Sequence, residues 1–333
     1  MIYNDFKFGS EDGQDIFVAN WSPDKKTRAK AVLQIAHGMA EHIGRYNRFA
    51  SFLTKQGYIV YGNDHRGAGK TAGVMENVGF FADNGGFQRV VQDLRQLTGI
   101  IRENHADLPV FLFGHSMGSL LVREYISGSC DLVKGAILSG TPRNPGLMGK
   151  VGEFLAKMQS SFQGKRTKSR MLDKMTFGSF NSRFKPNRTD FDWLTRDNAE
   201  VDKYIEDPYC GNIYSAGFFF DLFHGSIELF KPEKQRSTPN SLPILLFSGE
   251  FDPVGGAGKV EKVAQTYLDS GSSDVSVKIY PEGRHEMLNE TNKEEVFQDV
   301  ITWLDDHLDD GHPDVMLQNQ LELESKPDRS ALS

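Results

Sequence analysis

Short apolar runs alternate with helix-period segments along most of this 333-residue chain, and no other feature narrows its fold as much. Ala31–Ala36, Tyr58–Tyr61, Pro109–Phe113, Leu132–Leu138, Leu242–Phe247 and Val275–Tyr280 are rich in β-branched and aromatic residues and read as buried strands. Between them, Tyr46 to Leu53 carries helical spacing and ends at Gly57. Residues 86–104 place Phe87, Val90, Val91, Leu94, Leu97 and Ile101 on one helical face. Further helices are expected over Leu120–Ile126, near 258–269 and from about 293 to 308, the last with Val296, Phe297, Val300, Ile301, Leu304 and Leu308 as its buried stripe. Asn292 and Glu295 fit a capping-box pair at its start. Strands that alternate with helices predict an α/β fold, a mostly parallel, doubly wound sheet. Residues 1 to about 22 instead alternate apolar and polar, as in Phe6-Lys7-Phe8, and predict two antiparallel edge strands.

The alternation breaks between about 142 and 240, a stretch too long for a loop. Leu147, Val151, Phe154, Leu155, Met158 and Phe162 have helical spacing there, so a helical lid insertion is expected. The core is then 1–141 plus 241–309, the lid 142–240, and the polar, acidic stretch 310–333 a disordered tail. The net charge of −7 gives no support to a nucleic-acid partner. No apolar run is long enough to span a bilayer, and Met1–Phe6 shows no secretory leader. Cys130 and Cys210 read as buried thiols, and the protein as cytoplasmic.

Gly114-His115-Ser116-Met117-Gly118 sits where the 109–113 strand meets the 120–126 helix. A G-x-S-x-G at a strand-to-helix junction is the nucleophile elbow of an α/β-hydrolase: the turn is too tight for flanking side chains and exposes the serine hydroxyl. A serine hydroxyl is a poor nucleophile at neutral pH and needs a histidine base, oriented in turn by a carboxylate. In this fold the order is serine, acid, histidine, each on a loop at the carboxyl end of a strand. Ser248-Gly-Glu-Phe-Asp-Pro-Val254 follows one strand and Pro281-Glu-Gly-Arg-His-Glu-Met287 the next, so Asp252 and His285 are the candidates. Glu250 and Glu286 are rival carboxylates, and His307 and His312 are poorly placed. The oxyanion hole needs two backbone N–H groups: Met117, after the serine, and Met39, in the loop after Ala31–Ala36. His37 reads as structural support for that loop.

Four blocks carry a family resemblance: His37-Gly-Met-Ala-Glu-His-Ile-Gly-Arg-Tyr46, Gly114–Gly118, Ser248-Gly-Glu-Phe-Asp-Pro-Val-Gly255 and Gly283-Arg-His-Glu-Met-Leu-Asn-Glu290. Across roughly residues 30–305 the chain resembles the monoacylglycerol lipase and bacterial lysophospholipase group of α/β-hydrolases. The resemblance implies Ser116 as nucleophile, Asp252 as orienter, His285 as base, and Met39 and Met117 as oxyanion donors. One block departs from the family pattern of Asp-x-Arg-Gly-His-Gly-x-Ser: the chain has Asp64-His-Arg-Gly-Ala-Gly-Lys-Thr71, with Ala68 and Thr71 in place of histidine and serine. That departure puts the packing beside the oxyanion loop in question.

Other chemistries fail on spacing. Gly69-Lys70-Thr71 lacks the glycine a phosphate-binding loop needs at position 64, and His285-Glu286 lacks a second histidine at 289. No cofactor and no metal is expected. Phe218, Phe219, Leu222 and Phe223 share a helical face that is either an acyl-binding wall over Ser116 or packing of the lid on the core. The first half of the lid is basic, from Lys150 to Arg188, opposed only by Glu153 and Asp173. It reads as a solvated face, or as a patch for anionic head groups or a membrane surface. The expected activity is hydrolysis of a single-chain ester such as a monoacylglycerol or lysophospholipid, through an acyl-enzyme. The alternatives are an aminopeptidase of the same fold, which needs a carboxylate for the substrate ammonium, and a non-catalytic small-molecule binder.

Overall fold

The computed structural model describes residues 1–128 and 132–308. The expected tail, His312 and Cys130 lie outside the described residues. Eight strands form one sheet: β1 (Ile2–Gly9), β2 (Asp15–Ser22), β3 (Ala31–Ala36), β4 (Tyr58–Asn63), β5 (Val110–His115), β6 (Gly135–Ser139), β7 (Ile244–Gly249) and β8 (Val275–Tyr280). Their order across the sheet is β1-β2-β4-β3-β5-β6-β7-β8. β2 runs antiparallel to both neighbours, and the pairs from β4 to β8 are parallel. The two N-terminal strands thus form as predicted, although β2 lies inside the sheet and only β1 is an edge.

Period-two alternation divides the strand side chains between two cores. Phe111, Phe113, Ile137, Leu245 and Phe247 face α1 (Asn47–Lys55) and α9 (Lys293–Asp306). Leu112, Ala136, Leu138 and Leu246 face α2 (Gly86–Asn104), α3 (Met117–Ile126) and α8 (Val260–Asp269). Burying one such Leu or Phe contributes about 1.5–3 kcal/mol, which is why these strands carry no polar face.

Between β6 and β7 the chain builds the lid from α4 (Gly146–Gln163), α5 (Arg170–Phe177), α6 (Asn198–Glu206) and α7 (Ala216–Leu229). Gly152 lets α4 approach α7, since an added Cβ would lie 2.8 Å from the Phe223 ring. Ser169 and Ser215 cap α5 and α7 by accepting from the Leu172 and Phe218 N–H groups. The predicted capping box at α9 does not form: the Asn292 side chain donates to Glu295 Oε2 at 2.8 Å, and the helix start has no side-chain cap.

The chain leaves β3 for β4 on one side and returns to β5 on the other. This switch point opens a crevice at the carboxyl ends of β3 and β5, where loops from both can face one ligand.

Candidate active site

Ser116 is the residue between β5 and α3, with φ 51° and ψ −117°. A non-glycine residue there carries about 1–3 kcal/mol of strain, held by its surroundings. The Ser116 N–H donates to the Ser139 carbonyl of β6 at 2.8 Å, and Ser119 Oγ donates to the Ser116 carbonyl at 2.5 Å. A Cβ on Gly114 would lie 2.6 Å from the Gly118 carbonyl oxygen, and one on Gly118 would collide with the Ala36 carbonyl. Both glycines are therefore fixed by the close approach of α3 to its own strand and to β3.

Asp252 follows β7 and His285 follows β8. His285 Nδ1 lies 2.9 Å from Asp252 Oδ1, and both side chains are buried. Asp252 Oδ1 also accepts the Val254 N–H at 2.7 Å, and Oδ2 the Ser248 hydroxyl at 2.6 Å. Burial alone would raise the Asp252 pKa, but His285, Ser248 and Val254 bring it below the ordinary value. For His285, burial works to lower the pKa, while Asp252, then Glu286 and Glu41, carry it above the ordinary value. With Nδ1–H committed to Asp252, the Nε2 lone pair has no partner among the described residues and can take a proton. The rivals are engaged elsewhere: Glu250 accepts the Glu282 N–H at 3.0 Å, and Glu286 is held by Arg45. His307 bonds Asp274 and the Trp303 carbonyl, away from the site.

The loop after β3 is braced from several sides. His37 Nδ1 donates to the Gly38 carbonyl at 2.7 Å, and Nε2 accepts the His65 N–H at 3.0 Å. Burial lowers the His37 pKa, so the ring is a neutral strut, as the sequence suggests. The Gly38 N–H donates to Glu41 Oε1 at 2.6 Å, and the Ala40 N–H to the Tyr214 hydroxyl at 3.0 Å. Between these two committed groups, the Met39 N–H makes no hydrogen bond among the described residues, and neither does that of Met117. The departing 64–71 loop keeps its support role. Asp64 accepts the Ile43 and Lys70 N–H groups at 2.8 and 2.6 Å, and Thr71 Oγ1 bonds the Asp64 carbonyl at 2.7 Å.

Ser116, Met39, His115 and His285 line one cavity of about 510 Å³. Its outer wall comes from the lid: Phe177, Phe191, Trp193 and Leu194, interrupted by Asp173, Asn181, Asn187 and Asp190. Trp193 packs on His285 with ring centroids 5.1 Å apart, and the Glu286 N–H bonds the Leu194 carbonyl at 2.7 Å. The predicted wall is elsewhere. Phe218 and Phe219 are fully buried, and with Leu222 and Phe223 they pack on Phe81, Tyr214 and α4; none of the four lines this cavity. Their spacing reflects lid-to-core packing, the bulkier of the two uses such a face can have. Much of the lid's lining instead comes from the end of α5 and the irregular stretch that follows it to Leu194, which shows no periodicity to read.

Much of the basic stretch is also spent internally. Lys165 bonds the Asp83 carbonyl, Lys168 the Val78 carbonyl, and Arg166 stacks on Phe80 at 4.0 Å. Arg183 stacks on Phe251 at 3.7 Å, and Arg188 pairs with Asp202 at 2.6 Å. These groups tie the lid to the core or to itself, so the patch is weaker than its composition suggests. Among the described residues, no helix is long and apolar enough to cross a membrane.

Residues 27–292 match the serine aminopeptidase, S33, family. A monoacylglycerol lipase of Mycolicibacterium smegmatis is 29% identical over 309 residues, covering 92% of this chain and 98% of that protein. A mouse monoglyceride lipase is 29% identical over 306 residues, 88% of each chain. Among solved structures, a thermostable carboxyl esterase from Bacillus coagulans, in complex with glycerol, superposes with a TM-score of 0.85 at 27% identity, covering 93% of this chain and 100% of that one. The chain belongs to the serine aminopeptidase, S33, family of α/β-hydrolases, within which it is similar to the monoacylglycerol lipases.

Proposed function

We propose that the chain is a serine hydrolase that cleaves monoacylglycerols and similar single-chain carboxylic esters, including lysophospholipids, through an acyl-enzyme. The observation that carries this reading is the 2.9 Å contact of His285 with Asp252 in a cavity that also holds the strained Ser116 and the uncommitted Met39 N–H. Ser116 Oγ attacks the ester carbonyl as His285 Nε2 takes its proton, and Asp252 holds the imidazole tautomer and stabilises the imidazolium. The Met39 and Met117 N–H groups receive the oxyanion, worth roughly 3–4 kcal/mol of barrier per donor. His285 then protonates the departing alcohol, and in the second half-reaction activates water against the acyl-enzyme. No step needs a cofactor.

The partly polar outer wall suits a head group, and the aromatic part of the cavity an acyl chain. The carboxylate of Asp173, half-buried in that wall, makes no hydrogen bond or ion pair among the described residues; an aminopeptidase would need such a carboxylate. Purified protein should release fatty acid from a monoacylglycerol faster than arylamine from aminoacyl p-nitroanilides. The reverse order would replace the ester reading by the peptidase one.

Contact with a lipid surface through the lid fits one face of α4. Leu147, Val151, Phe154, Met158 and Phe162 fall within a narrow arc and are 76, 40, 61, 41 and 80% exposed, with Lys150 and Lys157 along one edge. The free, buried Cys210 fits a reducing compartment, in keeping with a cytoplasmic location.

A further inference from the structure

His42 and Asp207 are 165 residues apart in sequence, and His42 Nε2 lies 2.8 Å from Asp207 Oδ2. Cys210 completes the group: one ligand atom from each of the three lies within 4.8 Å of the other two. The positions are held by the backbone. Asp207 Oδ1 accepts the Tyr209 N–H at 2.9 Å, which leaves Oδ2 turned toward His42. The Cys210 N–H bonds the Asp207 carbonyl at 3.0 Å, closing the turn that carries both ligands. Cys210 is a free thiol, and none of the three has a part in the ester chemistry above. Spacing along the sequence could not reveal the group, because its histidine lies on the loop after β3 and its other members in the lid.

The surroundings favour a cation. Arg45 acts on both Asp207 and Cys210, but it is paired with both Glu41 and Glu286. That trio carries a net charge of −1, and Asp207 adds a second negative charge. An imidazole nitrogen, a carboxylate oxygen and a thiolate sulfur form the donor mixture that zinc-type ions take, leaving one open position for water. Bond lengths of about 2.0–2.3 Å put tetrahedral ligands about 3.5 Å apart, so the 2.8 Å His42–Asp207 contact must open by roughly 0.7 Å while the longest separation in the group, up to 4.8 Å, closes by roughly 1 Å. The half-buried His42 and Asp207 give access from solvent, while the sulfur lies deeper.

We infer that His42, Asp207 and Cys210 form a binding site for a thiophilic divalent cation of the zinc type, bridging the loop after β3 to the lid. Binding forms three metal–ligand bonds. The thiol proton goes to solvent, and the imidazole proton moves through solvent from Nε2 to Nδ1, which then no longer accepts the Gly44 N–H at 3.2 Å and leaves that exposed N–H to water. No electron is transferred. Binding releases the thiol proton, so affinity rises with pH. The bridge falls where the lid is already joined to this loop: the Ala40 carbonyl accepts the Gly211 N–H at 3.0 Å and the Tyr204 hydroxyl at 2.9 Å. The inference is independent of the ester reading.

The test is a titration of the metal-free full chain with CoCl2, followed by ZnCl2, and with MgCl2 as control. One equivalent of Co2+ should give a thiolate charge-transfer band in the near ultraviolet, displaced by Zn2+ and not by Mg2+. Cys210→Ser should remove the band and, with His42→Gln, weaken Zn2+ binding roughly tenfold or more by calorimetry, while Cys130→Ser keeps both signals. Unfolding midpoints establish that the variants fold. A band that survives Cys210→Ser, Zn2+ affinity unchanged by either variant, or the absence of saturable Co2+ or Zn2+ binding overturns the site.

Discussion

Arg45 holds both carboxylate oxygens of Glu286, at 2.6 and 2.7 Å, and so ties the loop after β3 to the residue next to His285. The same guanidinium holds Glu41 Oε2 at 2.8 Å, and Glu41 Oε1 in turn accepts the Gly38 N–H at 2.6 Å. The two loops that flank Ser116 thus share one buried ionic network. Burial works against ionisation of Glu286, yet Arg45 holds its pKa down at about 2.

Removing the cation would strand two buried carboxylates. Arg45→Ala is expected to cost about 3–5 kcal/mol in denaturant unfolding. Arg45→Lys keeps the charge and loses the two-pronged grip. It should remain folded, with kcat on a soluble ester reduced by up to about 100-fold and KM little changed, because a small displacement of either loop misplaces reacting groups. Wild-type kcat in Arg45→Lys would show that the network is structural only.

The pH profile tests the His285–Asp252 contact. Catalysis needs neutral His285, whose pKa is raised, so kcat/KM should climb with pH through an acid limb above the ordinary histidine value of about 6.5. Asp252→Asn removes the charge that raises it. The limb should move to lower pH, and kcat should drop by roughly 10³–10⁴ as the tautomer is lost. For stability the sign is opposite to that of a depressed acid. The His285 contribution is fully present below its unfolded pKa and fades as pH rises through the folded one.

Asp221 gives a prediction away from the site. Burial pushes its carboxyl up to about 6, against the pull of the Gly86 N–H at the start of α2 and of Lys165. Its contribution to stability is therefore present below the unfolded value and lost as pH rises through about 6. Asp221→Asn keeps an acceptor for Gly86 and removes the charge. Chemical denaturation should find it more stable than wild type by about 2 kcal/mol at pH 8 and equal to it at pH 4. Equal stability at both pH values would contradict the burial argument.

Much of this was legible in the sequence because it is local. Strands β3 to β7 are buried on both faces and so read as continuous apolar runs, whereas the edge strand β8 exposes Ser276, Val277 and Lys278; α2 carries a long apolar stripe and falls where its periodicity puts it. Ser116, Asp252 and His285 could each be placed by a motif at a strand end. Contacts that join distant segments were not legible. The Arg45–Glu286 pair spans 241 residues, and nothing about either residue names the other. The face of Phe218 and Phe219 was visible but its partner was not, since periodicity reports a buried face without saying what buries it. The cavity wall at 177–194 has neither period. Asn292–Glu295 failed for a local reason: the two side chains bond each other and leave the backbone of α9 uncapped.

The proposed lipid contact through the exposed face of α4 is tested by comparing interfacial with soluble substrates. Phe154→Ser with Phe162→Ser should reduce co-sedimentation with lipid vesicles and slow turnover of a vesicle-borne monoacylglycerol severalfold, each side chain giving up roughly 1.5–3 kcal/mol of burial at the surface. Turnover of a short p-nitrophenyl ester should not change. Equal losses on both substrates would place the effect in the lid fold.

Fluorophosphonate labelling measures directly whether Ser116 is the activated nucleophile proposed above. Wild-type protein should gain one covalent adduct, mapped to Ser116 by peptide mass spectrometry, with loss of ester hydrolysis in the same proportion. Ser116→Ala should take no label and show no hydrolysis above background. Labelling at another residue, or ester turnover that persists in Ser116→Ala, would rule out Ser116 as the nucleophile.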